Sequence, residues 1–223
     1  MACAAQAGCG LGAMIHRAGW WKAFWLPALF VAGCSAGAPP APSPPAQSAV
    51  PLSQPGLVSV TGKAPRGAVV ALESAAVADA PLPPGAAVMD QRGQQFIPAL
   101  LLARVGQPVE FRNGEGIVHN VYVTRMVGGT VELNVSTDPG QAYTHTFTTP
   151  GTYEVSCDIH PSMRASLAVV SSPLAAQVGD FGTFLIMNVP PGRYDLVTLY
   201  GNETTTRSVE VTGPHTDVSA GGT

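Results

Sequence analysis

The chain has 223 residues, a formal net charge of -3 and 46% apolar residues. So small a charge, with no cluster of Lys and Arg outside the N-terminal stretch, excludes the usual signature of a nucleic-acid-binding protein. The 25 Gly and 21 Pro residues disfavour long helices and favour short strands joined by turns. We therefore expect an all-β protein with no nucleic-acid partner.

The N-terminus has the pattern of a targeting segment. A basic stretch precedes the apolar run 23–32, which ends in the sequence Val-Ala-Gly-Cys34. The run is too short to span a bilayer comfortably. Its end resembles a bacterial lipobox, in which the cysteine is lipidated and becomes the first mature residue. We predict a lipoprotein signal peptide over 1–33 and lipidation of Cys34; the alternative is an ordinary signal peptide.

Residues 34–55 are rich in Pro, Ala and Ser. Such a segment can bury almost nothing, and it is predicted to form an extended, semi-rigid tether. Together with lipidation of Cys34, it predicts a protein of the bacterial cell envelope, periplasmic or at the cell surface, that is anchored to a membrane by lipid.

The strand predictions begin at residue 57. Two apolar runs, 57–62 and 68–73, flank a Gly/Pro turn, and 75–85 is predicted as a loop. The apolar run 94–103 is predicted as a buried strand, because Pro98 within it argues against a helix.

Alternation of apolar and polar residues predicts the central strands. Over 108–113 the alternation predicts a strand in which Val109 and Phe111 point inward, and a turn is predicted at 113–116. Further alternating strands are predicted at 141–149 and 152–157, followed by an apolar strand at 165–170. On the strand after the turn 113–116 and on the strand 152–157, the residues predicted to point inward are Ile117, His119, Val121, Val123, Tyr153, Val155 and Cys157. Strands at this spacing predict a β-sandwich over 56–171.

A smaller β module is predicted at 172–212, with strands at 183–187, 193–200 and 206–211. Three strands are too few for a stable core. The module must therefore pack on the first domain or borrow strands, and 57–73 are the obvious donors. We assign 56–73 to the first domain, with membership of the second module as the alternative. Residues 213–223 are predicted to be disordered.

One short turn carries the chemistry of the chain, Cys157-Asp158-Ile159-His160-Pro161-Ser162-Met163. It brings together a thiol, an imidazole and a thioether, three of the four groups of a blue-copper site. The second imidazole is assigned to His119, for which a role in the core is the simpler alternative. His145 and His215 are expected to face solvent or to have structural roles.

The cysteine count supports a metal site. If Cys34 carries lipid and the upstream cysteines are removed, Cys157 is the one thiol left in the mature chain. A lone thiol in an oxidising compartment is a liability unless it has a task, and metal binding is such a task.

The strand His119-Asn120 followed by Cys-x-x-His-x-x-Met resembles the cupredoxins, with the close His–Met spacing of amicyanin-like rather than plastocyanin-like members. The resemblance implies a Greek-key sandwich that holds one type 1 copper through His119, Cys157, His160 and Met163. It also implies that Asn120 ties the ligand loops together. The C-terminal module resembles carboxypeptidase regulatory-like β-sandwiches, and the first domain would then be an insertion in such a sandwich.

The predicted function is electron transfer outside the cytoplasm, without enzymatic activity. The partner would be a redox protein such as a cytochrome or a copper or quinone enzyme. The main competing function is copper delivery or storage, which would use the same ligands. The cluster would also suit a zinc site, or a three-ligand copper site with Met163 in the core. An adhesive envelope module would leave Cys157 unexplained.

Overall fold

A computed structural model describes residues 56–218. The predicted signal peptide, Cys34, the tether and residues 219–223 lie outside the described residues. The strands are β1 (Val58–Lys63), β2 (Val69–Glu73), β3 (Ala87–Gln91), β4 (Phe96–Ile97), β5 (Leu100–Arg104), β6 (Pro108–Asn113), β7 (His119–Arg125), β8 (Val131–Thr137), β9 (Ala142–Thr146), β10 (Gly151–Ser156), β11 (Arg164–Val170), β12 (Ala175–Gln177), β13 (Thr183–Val189), β14 (Gly192–Tyr200), β15 (Glu203–Val211) and β16 (His215–Asp217). A four-residue helix, α1 (Ala75–Ala78), lies in the segment predicted as a loop. Over 56–218, no helix is long and apolar enough to cross a membrane.

The strands form two sandwiches. In the first, the sheet β4-β3-β6-β9 packs on the sheet β5-β11-β10-β7-β8. Its core contains most of the side chains predicted to point inward, including Phe111, Val123, Tyr153 and Cys157. The pairs β3–β6 and β5–β11 are parallel, and β10 pairs antiparallel with both β7 and β11. Because β10 lies between β7 and β11, the start of β7, the end of β10 and the start of β11 lie together at one end of the sandwich.

The second sandwich is built from both ends of the described chain. The sheet β13-β1-β16 packs on the sheet β12-β2-β14-β15 around a separate core. The assignment of 56–73 to the first domain is therefore wrong, because β1 pairs with β13 and β2 pairs with β14. Borrowing these strands gives the C-terminal strands the core that they could not form alone. The first sandwich is inserted between β2 and β12.

The C-terminal segment also differs from its prediction. Residues 213–218 are ordered rather than disordered, since β16 pairs in parallel with β1. The Val218 N–H donates to the Thr61 carbonyl at 2.7 Å. A Cβ atom on Gly62 would lie 1.5 Å from the Val218 carbonyl oxygen, so glycine is required at this close approach.

The two sandwiches share a third apolar cluster. Val69 and Ala71 of β2 and Leu199 of β14 pack against Ala168 and Val170 of β11. The alternate residues of β2 and β11 face the cores of their own sandwiches. Both faces of these strands are therefore buried, which explains why their sequences are continuous apolar runs rather than alternating ones.

Two local predictions change in the structure. The run 94–103 is not one strand but divides into β4 and β5 around Pro98, because proline lacks the N–H that a strand interior needs. Ile117 is not on the inward face, since β7 begins at His119 and the Ile117 side chain is 43% exposed. Strands β3, β8, β12 and β16 have no counterpart among the predicted strands.

Candidate metal centre

The first candidate ligand, His119, opens strand β7. Its side chain is fully buried, and β7 lies between β8 and β10. The Nε2 atom of His119 lies 2.6 Å from Oε2 of Glu115. A carboxylate can only accept, so Nε2 donates its proton, and in the neutral imidazole Nδ1 then keeps its lone pair. That lone pair is available to a metal ion.

The turn that follows β10 supplies the other candidates. The Cys157 N–H donates to the Met163 carbonyl at 3.2 Å, and the Met163 N–H donates to the His160 carbonyl at 2.9 Å. These two bonds close the turn on itself. Cys157 and Met163 are buried, whereas His160 is half-buried. The turn therefore holds a thiol and a thioether inside the sandwich and leaves one imidazole near its surface.

Three donor atoms converge at this end of the first sandwich. The Nδ1 atoms of His119 and His160 are 3.0 Å apart, and Sγ of Cys157 lies 4.0 and 3.8 Å from them, respectively. Metal bonds of about 2.0–2.3 Å in one trigonal plane would separate such donors by roughly 3.5–3.8 Å. Cys157 is also an unpaired thiol. The residues therefore fit a copper ion held by two imidazoles and a thiolate.

Glu115 was not among the predicted site residues. Partial loss of hydration raises the pKa of its carboxyl. The hydrogen bonds from His119 and from the backbone N–H groups of Gln94 and Gly93 outweigh this effect, so the pKa lies below its usual value. Glu115 is therefore an anion at neutral pH. In the sequence it is one residue of the turn 113–116, and the one local signal for its role is its position four residues before His119.

Asn120 joins the two ligand-bearing segments. Its Oδ1 accepts the Asp158 N–H at 2.6 Å, and its Nδ2 donates to the Asp158 carboxylate at 3.0 Å. The residue after His119 is thus bonded to the residue after Cys157. These hydrogen bonds fix the distance between the two ligand segments.

The other candidate residues occupy different surroundings. Met163 is fully buried in the same core cluster as Cys157. His145 contacts Glu132 at 3.5 Å and the edge of Phe147. His215 contacts the hydroxyls of two residues on β1 in the second sandwich. Among residues 56–218, the cluster of His, Cys and acidic side chains with metal-binding geometry is His119, Cys157 and His160.

Comparison with known proteins shows what the first sandwich resembles. Residues 85–170 match the family of copper binding proteins described as plastocyanin/azurin. Amicyanin from Paracoccus denitrificans is 35% identical over 86 residues, which cover 38% of this chain and 66% of amicyanin, just under two thirds of its length.

Three solved structures are similar to parts of the chain. A reduced amicyanin variant is 30% identical, with 45% of this chain and 97% of that chain covered and a TM-score of 0.35. A copper-containing nitrite reductase from Thermus scotoductus is 30% identical, with 40% and 23% covered and a TM-score of 0.36. A purple cupredoxin from Nitrosopumilus maritimus is 22% identical, with 37% and 98% covered and a TM-score of 0.34.

The family match covers strands β3 to β11, the first sandwich. The predicted fold class, a cupredoxin sandwich with an additional β module, is confirmed, and so is copper as the cofactor. The family binds copper, and the cluster of His119, Cys157 and His160 with the nearby Met163 resembles a type 1 copper site.

Proposed function

We propose, from the match of residues 85–170 to copper binding proteins and from the convergence of three donor atoms, that this protein carries single electrons outside the cytoplasm. His119, Cys157 and His160 would hold one copper ion, and the thioether of Met163 would tune its reduction potential. In this ligand set copper supplies reversible one-electron chemistry between Cu(I) and Cu(II). The observation that carries the proposal is the set of donor atoms within 4.8 Å of one another.

Rigidity of the ligand segments favours electron transfer over copper delivery. His119 is held by Glu115, the turn 157–163 is closed by two backbone hydrogen bonds, and Asn120 joins the two segments. Side chains that are already fixed need little rearrangement when the charge of the site changes. A protein that delivers copper would instead need exchangeable, accessible ligands, and two of these three donors are buried.

His160 is the proposed point of electron entry and exit, because it is the least buried of the three donors. Exposed apolar side chains belong to the same loops: Ile117 and Val118 are each 43% exposed, and Ile159 is 51% exposed. Apolar residues around a redox centre suit brief contact with another redox protein, such as a cytochrome or a copper or quinone enzyme.

The experiment that tests the function is stopped-flow mixing of the copper-loaded protein with a small redox protein. We expect fast, reversible one-electron exchange with all copper retained. Reduction that releases copper to an acceptor within the same time would replace electron transfer with copper delivery.

Met163→Gln should keep copper but lower the reduction potential. An amide oxygen is a harder ligand than a thioether and favours Cu(II) over Cu(I). Voltammetry of the two proteins measures the shift. An unchanged potential would show that Met163 belongs to the core alone and does not act on the copper site.

A lipid anchor at Cys34, with 34–55 as the tether, is the proposed means of attachment to the cell envelope. The proposal rests on the lipobox-like sequence before Cys34. Cys34→Ser should release the protein or leave it unprocessed, as fractionation and mass spectrometry of the N-terminus would show. A mature N-terminus other than a lipid-modified Cys34 would refute the anchor.

A further inference from the structure

The hairpin between β3 and β4 lies beside the candidate metal centre. Arg92 and Gln95 exchange backbone hydrogen bonds of 3.0 and 3.1 Å, so the turn contains two central residues, Gly93 and Gln94. Their φ angles are +60° and +52°. Positive φ at both positions is the geometry of a type I′ turn, for which Asn-Gly is the usual pair.

Gln94 is the unusual member of this pair. A residue other than glycine with positive φ is strained, and Asn or Asp tolerates it better than Gln. Gln94 is exposed, and a Cβ atom on Gly93 would contact nothing within 4 Å. Packing around the tip therefore does not account for its conformation.

The turn directs its N–H groups at Glu115. The Gln94 N–H lies 3.1 and 3.2 Å from the two carboxylate oxygens of Glu115 and so donates to this side chain. Successive N–H groups in such a turn form a small anion-binding concavity. The same carboxylate accepts the Nε2 proton of His119 at 2.6 Å.

A second contact fastens the hairpin to the segment that carries Glu115. The Gly114 N–H bonds the Asp90 carboxylate at 3.0 Å and the Gln91 carbonyl at 3.2 Å. A Cβ atom on Gly114 would lie 2.8 Å from atoms of both Asp90 and Arg92. The backbone at Gly114 therefore packs closely against the hairpin, next to Glu115.

We propose that the hairpin tip, Gly93 and Gln94, positions the metal ligand His119 through Glu115. The Gln94 N–H at this tip holds the carboxylate, and the carboxylate fixes the neutral His119 ring in the Nε2–H tautomer with Nδ1 toward Cys157 and His160. The proposal deepens the proposed function, since it assigns the residues that orient one ligand. Gln94 and Glu115 are positioning residues in this arrangement.

The test compares the wild type with Glu115→Ala, Glu115→Gln and Gln94→Pro, with Gln94→Gly as the matched control. Glutamine at 115 has the size of glutamate but sets an NH₂ group against N–H donors. Gln94→Pro removes the backbone N–H and cannot adopt positive φ. Gln94→Gly keeps the N–H and adopts positive φ readily. The first measurement is the His119 tautomer in the metal-free protein, from long-range ¹H–¹⁵N NMR.

We expect the Nε2–H tautomer in the wild type and in Gln94→Gly, and a mixture of tautomers in the other three variants. In the copper-loaded protein, loss of the anion should weaken the preference for Cu(II) over Cu(I) about tenfold, which raises the potential by about 59 mV. Gln94→Pro should shift the potential in the same direction and Gln94→Gly should not.

An unchanged tautomer and potential in Glu115→Ala would overturn the proposal. So would a folded Gln94→Pro protein that behaves like Gln94→Gly. If Gln94→Pro does not fold, Glu115→Gln decides the question. A wild-type protein that binds no copper would defeat the proposed function, but the tautomer measurement would still test the role of the hairpin.

Discussion

Cys157→Ser should abolish the intense blue colour that we expect of the copper-loaded protein. The colour of such a site arises from charge transfer between a thiolate and Cu(II), and Cys157 is the free cysteine among the described residues. Its Sγ lies within 4.0 Å of both imidazole Nδ1 atoms. A serine hydroxyl is a hard, neutral donor and cannot replace a thiolate. The visible spectrum after copper titration measures the result.

Ser156→Ala is the matched control for this substitution. Ser156 is the neighbouring residue at the end of β10, and its hydroxyl makes one long contact, 3.5 Å, to the Tyr122 carbonyl. The control protein should remain blue and bind one copper ion per chain. A blue Cys157→Ser protein would contradict the assignment of the thiolate ligand. A colourless wild type that takes up zinc stoichiometrically and copper poorly would contradict the copper site itself.

Arg104→Ala should lower the free energy of unfolding by about 3–5 kcal/mol, because hydrogen bonds to a buried charged group are strong and the carbonyls left behind lose their donors. Arg104 ends strand β5 and is 8% exposed. Its guanidinium donates to the carbonyls of Ala80, Pro81 and Ser171 at 3.0, 2.8 and 3.2 Å. These acceptors lie on the two segments that connect the sandwiches, so Arg104 holds both connections.

Denaturant unfolding of the metal-free protein measures this effect, and Arg66→Ala is its control. Arg66 forms an ion pair with Asp180 at 3.0 Å in which both side chains are more than 70% exposed. Such a surface pair contributes at most about 1 kcal/mol. The folded Arg104→Ala protein should keep its copper spectrum, since Arg104 and the ligand turn lie at opposite ends of β5 and β11. An Arg104→Ala protein as stable as Arg66→Ala would show that the connections do not depend on the guanidinium.

Local sequence patterns were sufficient for the inward faces of two central strands and for the ligand turn. Alternation over 108–113 and 152–157 predicted which side chains enter the core of the first sandwich, because successive residues of a strand face opposite sides. The close spacing of Cys157, His160 and Met163 placed a thiol, an imidazole and a thioether in one turn, and two backbone hydrogen bonds close that turn in the structure.

The same patterns could not show how distant segments pair. The predicted run 68–73 could bury its apolar residues against the first sandwich or beside β14, and the structure pairs it with β14. Each choice would bury the strand, so burial alone does not distinguish them. The role of Glu115 could not be predicted for a similar reason, since its partner Gln94 lies 21 residues away in the sequence.

The sequence by itself therefore determined the all-β class, the inward faces of the central strands and the Cys157–Met163 turn. These properties follow from strand periodicity and from the chemistry of neighbouring side chains. The tertiary structure decided that β1 and β2 complete the second sandwich and that the first sandwich is inserted within it. It also decided that a hairpin tip and Glu115 hold His119. Those arrangements depend on contacts between segments that are remote in the sequence. Such contacts form where both faces of a strand become buried and where each buried hydrogen-bond donor finds an acceptor.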